Sequence, residues 1–494
     1  MRNAVTPSPL AIFDGHALAT REHTDCLRPW RVEVRDRNRA DGATKSAVLH
    51  RHLGTEFLPL SKGEGSYMVL EDGRKIFDAS GGAAVGCIGW GNERVARAIM
   101  AQVMAIPYCS TIFYTTSVQE ELCRYLVDST NGAMSRAYIV NSGSEAMEAA
   151  VKLARQYFLE LNPPQPRRTR FISRRQSYHG TTLGALAVGG HEYRRAKFEP
   201  MLMKNVSRVS PCNEFRGRHP RETNEDYVAR LAKELDDEFQ ALGPETVCAF
   251  VAEPVVGAAL GCVPSVPGYF KAMQAVCQKY GALLILDEVM CGMGRTGTLH
   301  AWEQEGVVPD IQTIGKTLAG GYQPVAGVLV NRHVVDVIER GTSSFVHGHT
   351  YQGHPAGCAA ALEVQRIIRD DNLLSNVRKM GALLSRRLQE RLGNHPNVGN
   401  IRGRGLFWGI EFVAEKKRSI PFPEEAHVAM GISERGLAKE YGINVYPGAG
   451  SADGIRGDHI IISPPFNVRA GDIEWIVNTV GRLIDDYFAS STDR

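Results

Sequence analysis

Leu283-Leu284-Ile285-Leu286-Asp287-Glu288-Val289 and Ile311-Gln312-Thr313-Ile314-Gly315-Lys316-Thr317 are the two stretches that decide the fold of this chain. Both read as short buried parallel strands, too brief for helices. Each delivers a charged residue at its C-terminal end, Asp287 in one and Lys316 in the other. In open α/β sheets the ligand crevice lies just outside those strand ends. An acid and a lysine at neighbouring strand ends suggest a cofactor held by an ion pair on one side and a covalent bond on the other.

The same alternation runs outward from these strands. Strand-like runs at Ala137 to Val140, Arg170 to Ser173, Val247 to Ala252 and Ala326 to Val330 are separated by helical patterns, the sign of a doubly wound α/β domain. Regular structure is expected to begin near Tyr67, with a hairpin turning at Glu71-Asp72-Gly73-Arg74. Asn162-Pro163-Pro164-Gln165-Pro166 and the polar stretch from Cys212 to Asp226 read as surface loops. From about residue 375 the character changes. An amphipathic helix (Leu374 to Leu392) leads into Val398-Gly399-Asn400-Ile401 and Leu406-Phe407-Trp408-Gly409-Ile410-Glu411-Phe412, as in a smaller α+β domain.

Composition narrows the class. A chain of 494 residues is long enough for more than one domain. A formal charge of +3 is small for this length, so nothing calls for a nucleic-acid partner or an acidic membrane surface. No run of about 18 apolar residues is present, so no transmembrane helix is expected. The ten cysteines are scattered without a C-x-x-C pair, which favours free thiols in a reducing compartment, and a cytoplasmic location is expected. Residues 1–45 are rich in Arg but carry Asp14, Glu22, Asp25, Glu33 and Asp36. Transit peptides are poor in acids, so a polar arm is the better reading.

Four further constellations carry chemistry. Asn141-Ser142-Gly143-Ser144-Glu145-Ala146 follows a strand and opens a helix whose Met147, Ala150, Val151, Ala154 and Phe158 share one face. Ser144 or a neighbour would cap it, and the free N–H groups there would form an anion site. A plain strand-to-helix turn reads the same way. Tyr178-His179-Gly180-Thr181 places an aromatic at a strand-to-loop junction, to stack on a flat ring or to sit in the core. Glu253 ends an apolar run as Asp287 does, and a buried carboxylate is costly unless paired. His347, His349 and His354 lie close together without an acid or Cys at helical spacing, so no metal is expected, and Thr350 among them suits a phosphate contact.

These motifs, with Gly294-Arg295-Thr296-Gly297 after Val289 and Tyr351-Gln352-Gly353-His354-Pro355 after Thr350, resemble in their order and spacing the class III pyridoxal-phosphate aminotransferases of the ω-amino-acid type. The likeness spans roughly residues 50–485. It implies fold type I and a homodimer with shared active sites. It implies a PLP-dependent transaminase that moves an amino group from an amine or ω-amino acid to a keto acid in two half-reactions. By position, Lys316 would form the Schiff base and shuttle the proton, and Asp287 would pair with the pyridine nitrogen. Gly143 and Ser144 would hold the phosphate, Tyr178 and Val289 would pack on the two ring faces, and His179 and Glu253 would support the pocket. Thr350 would reach the phosphate from the partner subunit. On this scheme residues 46–75 and 375–494 build the small domain, 76–345 the large cofactor-binding domain and 346–374 the linking loop and helix.

Two departures from the family pattern matter. Ornithine- and γ-aminobutyrate-type members carry a Glu–Arg pair that switches between substrates; here those positions hold Ala258 and Ile461. Arg402, Arg404 and Arg456 are the nearby candidates for carboxylate recognition, and the lost pair implies a more apolar pocket with weak use of 2-oxoglutarate. Other reactions on the same scaffold (decarboxylase, aminomutase, racemase, phospho-lyase) share its residues and stay open. A P-loop ATPase would also use an acidic strand and a Gly-Lys-Thr, but Asp310 stands where its first Gly is required and the order is reversed.

Overall fold

The computed structural model describes residues 46–53 and 57–491. Residues 1–45, expected as a polar arm, lie outside them. The described part of the segment up to Phe57 belongs to a separate unit, in which His50 stacks on Phe57. All that follows concerns the compact unit from Leu58 onward.

β1 (Leu60–Glu64), β2 (Tyr67–Leu70) and β3 (Lys75–Asp78) form an antiparallel meander. The β2–β3 hairpin turns at Gly73, whose φ of 84° suits a residue without a Cβ. Among the described residues, regular structure thus starts at Leu60, earlier than expected. β1 is a largely exposed edge strand, so it carries no apolar alternation to betray it.

The central sheet takes β4 (Met134–Val140), β5 (Arg170–Arg174), β6 (Val206–Val209) and β7 (Val247–Ala252). A small ladder of β8 (Val255–Val256) and β9 (Val263–Pro264) intervenes. β10 (Leu283–Asp287), β11 (Ile311–Ile314) and β12 (Ala326–Asn331) complete the sheet. The seven strands lie in the order β4-β12-β11-β10-β7-β5-β6. All neighbours run parallel except β12, antiparallel to both β11 and β4. β7 and β10 are buried along their whole length, as their unbroken apolar runs require. The edge strand β6, with Ser207 and Arg208 at its centre, gives no such signal.

β13 (Val398–Arg404), β14 (Phe407–Phe412), β16 (Tyr446–Gly448) and β17 (His459–Ile462) form a C-terminal antiparallel sheet. β15 (Ile443–Asn444) instead joins β3 in parallel, so a C-terminal segment completes the sheet of the first three strands. The helix Leu373–Leu392 packs Leu384, Leu388 and Leu392 into the core beneath these strands.

The stretch from Cys212 to Asp226 is not simply a surface loop. Cys212 and Asn213 are buried, the Asn213 N–H donates to Tyr227 Oη at 3.0 Å, and Arg216 pairs with the buried Glu411. Its polar residues serve internal partners, which composition cannot reveal.

Candidate active site

β10 and β11 run side by side in a register that sets Asp287 opposite Thr313. Successive strand residues face opposite sides. Asp287 and Glu288 therefore part company. Glu288 turns inward, accepts from the Ala301 and Trp302 N–H groups and from Gln312, and is pushed up to about 8 by burial. It anchors the following segment. Asp287 faces a cavity of about 460 Å³.

Three donors hold the Asp287 carboxylate. His179 Nδ1 donates to Oδ2 at 2.8 Å. The Thr313 hydroxyl and the Val289 N–H both donate to Oδ1 at 3.0 Å. Asp287 and His179 are both buried, so the carboxylate is oriented before any ligand arrives. Thr313 is a site residue that sequence reading missed. Its signal was the pairing register, which local sequence does not display.

Lys316 follows β11 and lines the same cavity. Its φ of 48° lies in the left-handed region, a conformation costing a non-glycine residue about 1 kcal/mol. Burial pulls its ammonium down to about 8; Asp287 and Glu253 oppose that shift, and Arg194 reinforces it. At pH 7 about a tenth of such a lysine is a free amine, far more than of an ordinary one.

Ser142, not Ser144, caps the helix Gly143–Glu160, and Glu145 returns the bond in a capping box. That leaves Ser144 to receive the Thr181 N–H at 3.0 Å and to line the cavity with Gly143. The sequence reading had offered Ser144 or a neighbour. A Cβ on Gly143 would come within 2.7 Å of Val289 Cγ1, and one on Gly180, whose φ is 130°, within 2.6 Å of Ser144 Oγ. Both glycines keep a backbone cradle open at a helix N-terminus, where an anion is favoured.

Tyr178 forms one wall, and its N–H donates to Glu253 Oε1 at 3.0 Å. Glu253 also receives the Gly257 N–H, and burial raises its pKa. Thus Gly143, Ser144, Tyr178, His179, Glu253, Asp287, Val289 and Lys316 all line one cavity. Thr350 does not line it; it lies on the exposed surface beside Tyr351. Ala258 and Ile461 are packed in one apolar cluster with Met290 and Phe407, against which Tyr178 rests.

The three arginines suggested by sequence are committed elsewhere. Arg402 pairs with Glu411 and donates to the Leu260 and Gly261 carbonyls. Arg404 pairs with Glu305, and Arg456 with Asp453. A P-loop reading also fails, since Gly315-Lys316-Thr317 opens only a three-residue 3₁₀ turn, with no helix to cradle a nucleotide phosphate.

A strand-end acid, a buried lysine and a helix N-terminus surround one cavity, and comparison with known proteins gives the family. Residues 49–484 match the model of the aminotransferase class-III family, and the chain belongs to that family. It is 54% identical over 437 residues to an aminotransferase of Gibberella zeae, covering 88% of this chain and 85% of that protein. It is 34% identical to gamma aminobutyrate transaminase 3, chloroplastic, of Solanum lycopersicum, covering 87% and 81%. The crystal structure of the omega transaminase from Pseudomonas jessenii in complex with PMP superposes with a TM-score of 0.81 at 31% identity, covering 87% and 92% of the two chains. The protein is therefore a pyridoxal-phosphate-dependent enzyme of amino-group transfer. No helix among the described residues is long and apolar enough to cross a membrane.

In the cofactor-free protein Lys316 should titrate near 8 rather than at the ordinary 10.5, read by ¹³C NMR after reductive methylation. Asp287 holds the proton on Lys316, so Asp287→Asn should move that titration lower still. An ordinary value in the wild type would contradict the enclosed geometry.

Proposed function

We propose that Lys316 binds pyridoxal phosphate covalently and carries the proton in transamination between an apolar amine or ω-amino acid and a small keto acid. The observation that carries this reading is that Lys316 and the pre-oriented Asp287 open on one cavity. The fit of the cofactor is supported by the residues themselves. Gly143 and Ser144 offer an anion cradle at a helix N-terminus. Asp287, already saturated on its inner side by three donors, would face a protonated pyridine nitrogen. Val289 packs against Gly143, within reach of one ring face, and Tyr178 would serve the other. His179 orients Asp287, and Glu253 holds the backbone of Tyr178.

Bound pyridoxal phosphate supplies an electron sink for negative charge developing at the substrate carbon. The chain's own part is proton transfer and exclusion of water. Lys316, as a free amine, would remove the proton from the substrate carbon that bears the nitrogen. Its lowered proton affinity suits that base role near neutral pH. The apolar cluster of Ala258, Met290, Phe407 and Ile461 favours an uncharged substrate arm over a second carboxylate.

The reading extends to a homodimer in the cytoplasm. Phe113 is 82% exposed and Tyr351 57%, and Tyr108 bridges towards Tyr351 edge-on at 6.0 Å. Such an apolar surface is characteristic of a partner interface. Thr350, next to Tyr351 and exposed, would reach a second subunit's phosphate site from this surface. Free thiols at all nine described cysteines accord with a reducing compartment.

Borohydride reduction of the holoenzyme and peptide mapping should find the pyridoxyl group on Lys316. Lys316→Ala should lose that label and reduce turnover by about 10²–10⁴-fold or more. A label on another lysine would contradict the assignment. In a purified mixed dimer of Lys316→Ala with Thr350→Asp, one site receives both lesions and the other neither, so activity absent from each homodimer should return. A folded but inactive mixed dimer would refute the shared site.

A further inference from the structure

The proposed transamination leaves a chemical question open: a keto acid brings a carboxylate into a cavity whose familiar cationic position holds Ile461. Arg402, Arg404 and Arg456 have carboxylate partners of their own. The other arginines in the neighbourhood are consumed as well. Arg174 is buried, donates to the Glu253 carbonyl and lies between Tyr269 and Phe270. Arg195 is buried and donates to the carbonyls of Leu186, Ala187 and Gly189.

Arg194 differs from all of these. Its guanidinium carbon lies 4.8 Å from the centroid of the Tyr178 ring, the ring that walls the cavity. The residue is half-buried, on the short helix Glu192–Arg195. Among the described residues that stacking is its only side-chain partner: it has no ion pair and donates no hydrogen bond. Stacking on an aromatic face uses the flat of a guanidinium and leaves its in-plane N–H donors available. Those donors match a carboxylate in a two-pronged bond. Its charge also bears on the site, lowering the proton affinity of Lys316 after burial and against Asp287 and Glu253.

Resting on the transaminase reading, we infer that Arg194 is the specificity-determining residue that binds the carboxylate of the keto-acid acceptor, held at the cavity rim by the Tyr178 ring. The ligand class is a short monocarboxylate with its carbonyl carbon directed at Lys316. Met290, which lines the cavity, then meets the substituent beyond the carbonyl, and one cation serves one carboxylate.

Two measurements test this. The first uses the wild-type holoenzyme and does not require turnover. Phenylglyoxal should modify Arg194, and butyrate should protect it, as mapped by mass spectrometry; modification that butyrate leaves unchanged would overturn the assignment. The second compares acceptors after the enzyme has been aminated with 1-phenylethylamine. Arg194→Met should raise KM for pyruvate by about tenfold or more, equivalent to about 1.4 kcal/mol. KM for propanal, which has no carboxylate, should stay within about twofold. Arg194→Lys should recover most of the pyruvate affinity. Equal losses for pyruvate and propanal would show that Arg194 merely steadies Tyr178, and an unchanged pyruvate KM would show that another group binds the carboxylate. Both outcomes overturn the inference. Absence of any amine-dependent half-reaction in the wild type would instead overturn the transaminase reading, and the protection experiment would still decide the role of Arg194.

Discussion

The buried carboxylate of Asp287 is the constraint on which the site depends. A carboxylate at a strand end inside a protein costs several kcal/mol unless its charge is met. His179, Thr313 and the Val289 N–H meet it from the protein side, which fixes its direction. Those donors come from three different segments, so β10, β11 and the loop after β5 must all dock correctly before the acid is satisfied. Folding and site assembly are thus one process here. The same geometry forces Glu288 to the opposite face, where it ties down Ala301 and Trp302 instead of reaching a ligand.

Around this acid the cavity is built from contrasts of charge and space. Lys316 is enclosed enough to lose much of its proton affinity, yet Asp287 and Glu253 keep it from losing more. Glycines at 143 and 180 leave room at a helix N-terminus, with Val289 beside the first and Ser144 beside the second. Met290 and Val85 add apolar surface to the same cavity.

Much of this was legible in sequence, and the failures have physical causes. β7, β10 and the buried face of the helix Gly143–Glu160 announced themselves because burial on both faces, or on one helical stripe, demands an apolar pattern. β1 and β6 were silent because edge strands are half-solvated. Ser142 and Ser144 are equivalent as residue types, and only the reciprocal bond from Glu145 selects the cap. Thr313 became visible once the β10–β11 register was known. Arginines are the hardest to read. Arg194 and Arg195 are neighbours of identical chemistry, yet one is spent on backbone carbonyls and the other lies on Tyr178. Arg402, Arg404 and Arg456 looked available because their acidic partners are set by the fold: Glu411 by the pairing of adjacent strands, Glu305 by a distant segment, and Asp453 by a local turn.

The central claim is that Asp287 is held to keep a cofactor nitrogen protonated. The direct measurement is the ¹⁵N chemical shift of pyridine-labelled pyridoxal phosphate bound to the enzyme. The wild type should show the pyridinium shift, unchanged as the pH is raised through neutrality, and Asp287→Asn should show the shift of an unprotonated pyridine with the cofactor still bound to Lys316. An unprotonated nitrogen in the wild type, or a pyridinium that persists in Asp287→Asn, would contradict it.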